Sequence, residues 1–320
     1  MKFLLKRLSH AAFLLAGVSV LSFLLLQLAP GDFFDEMKLN PQISPQTIAG
    51  LRSQFGLDQP LPVRYWRWLR SAARGDFGYS FAYNAPVAPL LRTRALNTVL
   101  LAGVATLVAW IFALAIGLWN ATRAGRWDDR ISAGALSLSL AVPDVLVALL
   151  ALLVAVRSGL FPVGGLVSNR FEEFGLLQKF RDISWHMLLP VAALAFGLVP
   201  TLARHVRSAV MQAQSAPFVR AARAHGIAPA RLLFRHVLPA AANPLISLFG
   251  ISLATLLSMS LLVEVIMSWP GLGPFFLEAI MARDVYVVIG TVLLSTSFLV
   301  IGTLLADALL LAADPRIRRP

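Results

Sequence analysis

Asp144, directly after Pro143 within a long apolar run, is the side chain in this sequence with the most chemical potential. An ionised carboxylate among hydrocarbon is costly and is normally paired or turned toward a water-filled path. Two readings stay open: a group that binds a substrate amine or gates a path, and a carboxylate paired with a neighbouring helix. Glu264, near the end of another apolar run, either touches a partner or substrate or sits at the interface. Asp307 reads as a structural polar contact. The remaining reactive groups are sparse. His10, His186, His205, His225 and His236 form no His-Glu-x-x-His pattern, so no metal site is expected. The sequence has no Cys, which excludes disulfides, Cys-held zinc and thiolate nucleophiles. It also lacks the Gly-x-x-x-x-Gly-Lys-Ser/Thr loop that cradles phosphates, so ATP is not held here in that manner. No nucleophile and base form a convincing pair. Neither enzymatic chemistry nor a cofactor is expected.

These groups must be positioned by membrane helices. The chain is 58% hydrophobic and 14% charged, with a mean hydropathy of +0.74, beyond what a water-soluble domain displays. A bilayer core about 30 Å thick takes roughly 20 apolar residues per helix. Six stretches come near this, at 10–29, 98–118, 132–156, 187–203, 245–267 and 286–311. The expectation is an all-α integral membrane protein of six transmembrane helices. The first stretch follows Lys2, Lys6 and Arg7 as a signal peptide would, but it is long and no small-residue cleavage site precedes Gly31 and Asp32. It is read as a retained helix.

The net charge of +12 would suggest nucleic acid in a soluble chain. Here it belongs to loops beside anionic headgroups, and no nucleic-acid partner is expected. Placing the N-terminus in the cytoplasm gives the inner segments fifteen Lys or Arg against Asp128, Asp129 and Asp314. The positive-inside rule therefore expects both termini in the cytoplasm.

Between the first two spans, Ile48 to Phe55 and Pro62 to Ala73 have helical apolar spacing, with Gly56 and Pro60 as breakers. This predicts a helical, water-exposed insertion after the first helix. Tyr65, Trp66 and Trp68 beside Arg64, Arg67 and Arg70 fit an interfacial helix, with direct substrate contact as the alternative. The expected organisation is 1–96 for the first helix and this cap, 97–312 for the transmembrane core, and 313–320 for a cytoplasmic tail. Ser268 to Gly273 reads as a turn, and Pro190 and Pro200 as kinks in the fourth span.

The longest inner loop, 204–244, is amphipathic. It contains Phe218, Val219, Arg220, Ala221, Ala222, Arg223, Ala224, His225 and Gly226, then a second segment ending at Leu238 and Pro239. Ser215 suits an N-cap, Gly226 a C-cap, and Pro229 the start of a second helix. Two short helices meeting at a glycine are predicted. Small alanines permit close approach while the arginines supply charge, which suits docking in a partner's groove. A helix lying on a lipid surface has a similar pattern.

Arg220, Ala221, Ala222, Arg223, Ala224, His225 and Gly226, with Leu238 and Pro239 further on, resemble the EAA coupling loop of ABC importer permeases. The resemblance continues in Leu28 to Asp32, Gly56 to Pro62, Gly75 to Tyr79, Glu264, Trp269 to Gly273, Arg283 with Asp284, and Asp314 to Arg316. Together these marks resemble the oligopeptide, dipeptide and nickel permease family, in the first of its two permease subunits. The resemblance implies an ABC type I importer fold in the bacterial inner membrane. It further implies a second related permease, two cytoplasmic ATPases docked on the coupling loops, and an extracytoplasmic solute-binding protein. Arg220 stands where the wider superfamily usually has Glu, and His225 where Lys is common. Short peptides are the expected cargo. The alternatives are nickel or another small solute, or a proton-coupled secondary transporter relaying through Asp144.

Overall fold

The computed structural model describes residues 2–28, 33–37, 44–54 and 56–313. The motif residues Ala29 to Asp32 and Asp314 to Arg316, and most of the expected tail, lie outside them. The described chain divides into two compact units, Met1–Thr98 with Pro270–Ser297, and Val99–Trp269 with Phe298–Pro320.

In the first unit, α1 (Lys2–Leu28) is followed by α2 (Phe33–Met37), α3 (Pro45–Gln54) and α4 (Leu61–Ala72). Gly56 adopts φ +66° between α3 and α4, the left-handed turn that its place as a breaker required. The aromatic face of α4 packs against α1. Trp68 is buried and its indole N–H donates to the Phe77 carbonyl at 3.1 Å, while Tyr65 meets Ser19 of α1 at 2.9 Å and stacks edge-on against Phe23. Trp66 alone of the three points outward, at 62% exposure.

A short two-stranded hairpin, β1 (Tyr79–Ser80) and β2 (Ala85–Pro86), interrupts the helices. Its latch explains the Arg283-Asp284 pair. The fully buried Asp284 accepts Ser80 Oγ at 2.7 Å and the Ala82 N–H at 3.1 Å, after Arg283 has turned the chain at φ +53°. A second latch joins the Tyr83 hydroxyl, as donor, to Glu278. Burial, then that carboxylate, pushes the Tyr83 hydroxyl up to about 12. A raised folded-state value means that this contribution to stability is complete below the ordinary tyrosine value and is lost between about 10 and 12. Ultraviolet titration of tyrosinate should lose a late-titrating step on Tyr83→Phe.

Two further elements of this unit are α12 (Leu272–Met281), where only a turn was expected, and the first part of α13 (Val285–Ala313). Leu272, Gly273, Phe275 and Ala279 are buried along one face, and the Leu272 N–H is satisfied by Thr98 Oγ1 at 2.8 Å.

The second unit contains most of α5 (Val87–Thr122), then α6 (Trp127–Ser139), α7 (Asp144–Ser158), α8 (Leu176–Gln214), α9 (Pro217–Ala224), α10 (Pro229–Leu232) and α11 (Leu238–Ile266). Among the described residues, five helices are long and apolar enough to cross a membrane. The third expected span, 132–156, is broken: α6 and α7 meet at 90°. Pro143 supplies the break, because it has no N–H for the helix and restricts Val142 before it. The fourth span is far longer than 187–203, since α8 runs unbroken through Pro190 and Pro200. The loop between the fourth and fifth spans is correspondingly shorter, and Leu238 and Pro239 open α11 instead of lying in that loop.

Packing in this unit rests on small residues. A Cβ on Gly250 of α11 would overlap Ala306 Cβ on α13 and stand 2.8 Å from the Gly302 carbonyl. A Cβ on Gly117 of α5 would lie 2.6 Å from Val206 Cβ on α8. Such close backbones are what hold helices together where lipid removes the hydrophobic driving force. Trp110 adds a polar tie, its indole N–H donating to Ser252 Oγ at 2.8 Å.

Candidate functional site

The segment between α8 and α11 is built by two prolines and one glycine. Pro217 and Pro229 occupy first helical positions, and each forces its predecessor into extended backbone, Ala216 at ψ 143° and Ala228 at ψ 141°. This is why Ser215 is not the N-cap that its side chain suggests. It ends α8 instead, its hydroxyl donating back to the Gln212 carbonyl at 2.8 Å.

Gly226 terminates α9 at φ +74°. The Gly226 N–H reaches the Arg223 carbonyl at 3.0 Å and the Ile227 N–H reaches Ala222 at 3.4 Å, the bond pair of a Schellman motif. Ile227 and Ala222 supply its apolar contact, both packing on the cluster that buries Val219, Val210, Leu232 and Val237.

That anchoring fixes which face of α9 is outward. Val219 is fully buried and Ala222 half-buried, while Arg220, Ala221, Arg223, Ala224, His225 and Gly226 are exposed. Two aromatics that the sequence reading did not assign to the site also project outward, Phe218 at 52% and Phe234 at 65% exposure. Exposed aromatics beside alanines and arginines give a surface with apolar anchors and a charged rim. Their signal was available only as large apolar residues off the buried helical stripe.

Between α10 and α11 the backbone makes a π turn over Leu233–Val237, with the Leu238 N–H bonded to the Leu233 carbonyl. Pro239 causes it, having no N–H to return to the carbonyl of Arg235. Leu238 is half-buried and Pro239 exposed at this junction. A groove of about 400 Å³ runs beside it, lined by Arg223, Ile227, Pro229 and Leu233 together with Thr122 and Gln214. The base of the segment is held by Arg207 of α8, whose guanidinium donates twice to buried Asp129 of α6, both at 2.8 Å. This two-pronged geometry is the strong form of ion pair.

Asp144 is not inside a straight span but at the first position of α7, where the broken pair turns. It lines a cavity of about 420 Å³ formed by the α6–α7 junction, α8 and α11. Gly197 of α8 faces the carboxylate closely: a Cβ there would collide with Oδ1 and lie 3.0 Å from Cγ. Glu264 is placed elsewhere. It is fully buried, accepts Ser260 Oγ at 3.3 Å, and is absent from the residues lining that cavity. The structure therefore does not bring the two carboxylates together.

Comparison with known proteins follows the same lines. Residues 113–319 match the family described as binding-protein-dependent transport system inner membrane component, and residues 1–102 match its N-terminal membrane component. The chain is 33% identical over 306 residues to the oligopeptide transport system permease protein AppB of Bacillus subtilis, covering 95% of each. It is 33% identical over 320 residues to the glutathione transport system permease protein GsiC of Salmonella paratyphi A, covering 99% of each. Among solved structures, the inward-facing methionine ABC transporter MetNI superposes with a TM-score of 0.56 at 19% identity, over 70% of this chain and 96% of that one.

Proposed function

The chain belongs to the binding-protein-dependent transport system inner membrane component family, and we propose that it is one of two permeases in an ATP-driven importer of short peptides. Its relatives carry oligopeptides and glutathione by name, and glutathione is itself a small peptide. The partners on this reading are a second related permease, two cytoplasmic ATPases and an extracytoplasmic solute-binding protein. Hydrolysis belongs to the ATPases, because this chain has no phosphate-cradling loop.

The observation that carries the proposal is α9, a short helix pinned on its inner side by Val219 and closed by Gly226. Its outer face presents Phe218, Arg220, Ala221, Ala224 and His225 to a partner. A helix anchored this way moves as a body with the ends of α8 and α11. Closure of the ATPases is thereby transmitted to the α6–α7, α8 and α11 walls of the cavity. The loop 215–237 faces the cytoplasm on this reading, with both ends of the chain on that side.

The test is reconstitution of the permease with its partner permease, ATPases and binding protein in liposomes. Peptide uptake is expected only with ATP inside the compartment that holds the ATPases. Uptake driven by a proton gradient without the ATPases would favour a secondary transporter and end this reading.

A further inference from the structure

We propose that the cavity at the α6–α7 break recognises an ammonium group of the cargo, with Asp144 as its counter-charge. The proposal rests on the transport reading above and names the chemistry that the path selects. Three observations carry it.

Asp144 is the one charged residue among those lining the cavity. It makes no hydrogen bond or ion pair among the described residues. A carboxylate left this way within a membrane span is a site awaiting a partner.

Three of the four hydroxyls that line the cavity, all but that of Thr201, have already given up their protons. Ser139 Oγ donates to the Ala135 carbonyl at 2.9 Å, Ser252 Oγ to Phe249 at 2.7 Å, and Thr255 Oγ1 to Ile251 at 2.9 Å. What these three offer the cavity is lone pairs. An acceptor-rich wall matches a group with three donors and no acceptor, which is an ammonium, and it mismatches a carboxylate.

Gly197 keeps the site open, since any side chain there would occupy the carboxylate's position. The volume of about 420 Å³ lies within the range of about 300–1,000 Å³ for small-ligand pockets. The apolar remainder, Leu248, Ile251 and Met259, takes the uncharged body of the cargo.

The first arm of the test needs no transport. The sequence has no cysteine, so Thr201→Cys places a single thiol on the exposed cavity wall. In the assembled complex it is treated with cationic and anionic methanethiosulfonate reagents of similar size. The cationic reagent is expected to react about tenfold faster or more, and Asp144→Asn is expected to bring the two rates together. A ratio that Asp144→Asn leaves unchanged would overturn the proposal.

The second arm compares uptake of a free-amine tripeptide and its N-acetylated analogue by the wild-type and Asp144→Asn complexes, with the same binding protein. The wild type is expected to favour the free amine by about tenfold, Asp144→Asn to lose that preference, and Asp144→Glu to keep part of it. Equal uptake of the two by the wild type, or a loss in Asp144→Asn shared equally by both, overturns the proposal. The shared loss would mean that the carboxylate pairs with a cation of the partner permease. No ATP-driven uptake by the wild type would instead overturn the transport reading and this proposal with it, whatever the thiol ratio.

Discussion

Gly226→Val is expected to cut ATP-driven uptake by about tenfold or more while the protein stays in the membrane at normal abundance. At φ +74° a β-branched residue is strained, and an L-residue in the left-handed region costs roughly 1–2 kcal/mol. The site is open, with nothing within 4 Å of an added Cβ, so the defect comes from backbone geometry and not from a clash. Relief of that strain breaks the paired bonds to Arg223 and Ala222 and releases the end of α9. A loss of about 1.4 kcal/mol in coupling is about tenfold in the corresponding equilibrium. Gly226→Asn should retain most activity, because Asn tolerates the left-handed region. Uptake in reconstituted liposomes, set beside membrane abundance, checks the order Gly, Asn, Val.

The same chemical change should have opposite consequences at Gly250 and Gly103. Gly250→Ala puts a methyl into Ala306 and 2.8 Å from the Gly302 carbonyl, where ordinary contact between heavy atoms is about 3.5–4.0 Å. The helices α11 and α13 must separate, at an overpacking cost of roughly 1–3 kcal/mol. Gly103→Ala meets nothing within 4 Å and gains about 0.5–1 kcal/mol from helix propensity. Thermal unfolding of the detergent-purified complex should show Gly250→Ala lowered and Gly103→Ala unchanged or raised. A Gly250→Ala complex as stable as wild type would contradict the packing described.

Much of this architecture was legible in the residues because lipid imposes a simple rule, a long apolar run for each crossing. Gly226 and Pro229 were legible for a different reason: left-handed backbone and first-turn position are local demands, met by one residue type each. The Arg283-Asp284 pair was visible as a motif but not as a latch, since its partner Ser80 is distant in sequence and the contact is tertiary. The break at Pro143 is a local signal overridden in the reading by the hydropathy around it. Conversely, Pro190 and Pro200 lie within a helix that continues unbroken. Gly197 carried no sequence signal, because only the approach of Asp144 from another helix makes its missing side chain matter. Phe218 and Phe234 were apolar residues like many others until the buried side of their helices was known.

The most direct test is a single cysteine at Ala221, on the exposed face of α9 in a chain with no other cysteine. In the actively transporting complex it should cross-link to an ATPase subunit and resist a membrane-impermeant thiol reagent added outside sealed cells. Labelling from the outside, or transport in which that position never contacts an ATPase, would contradict the role assigned to α9.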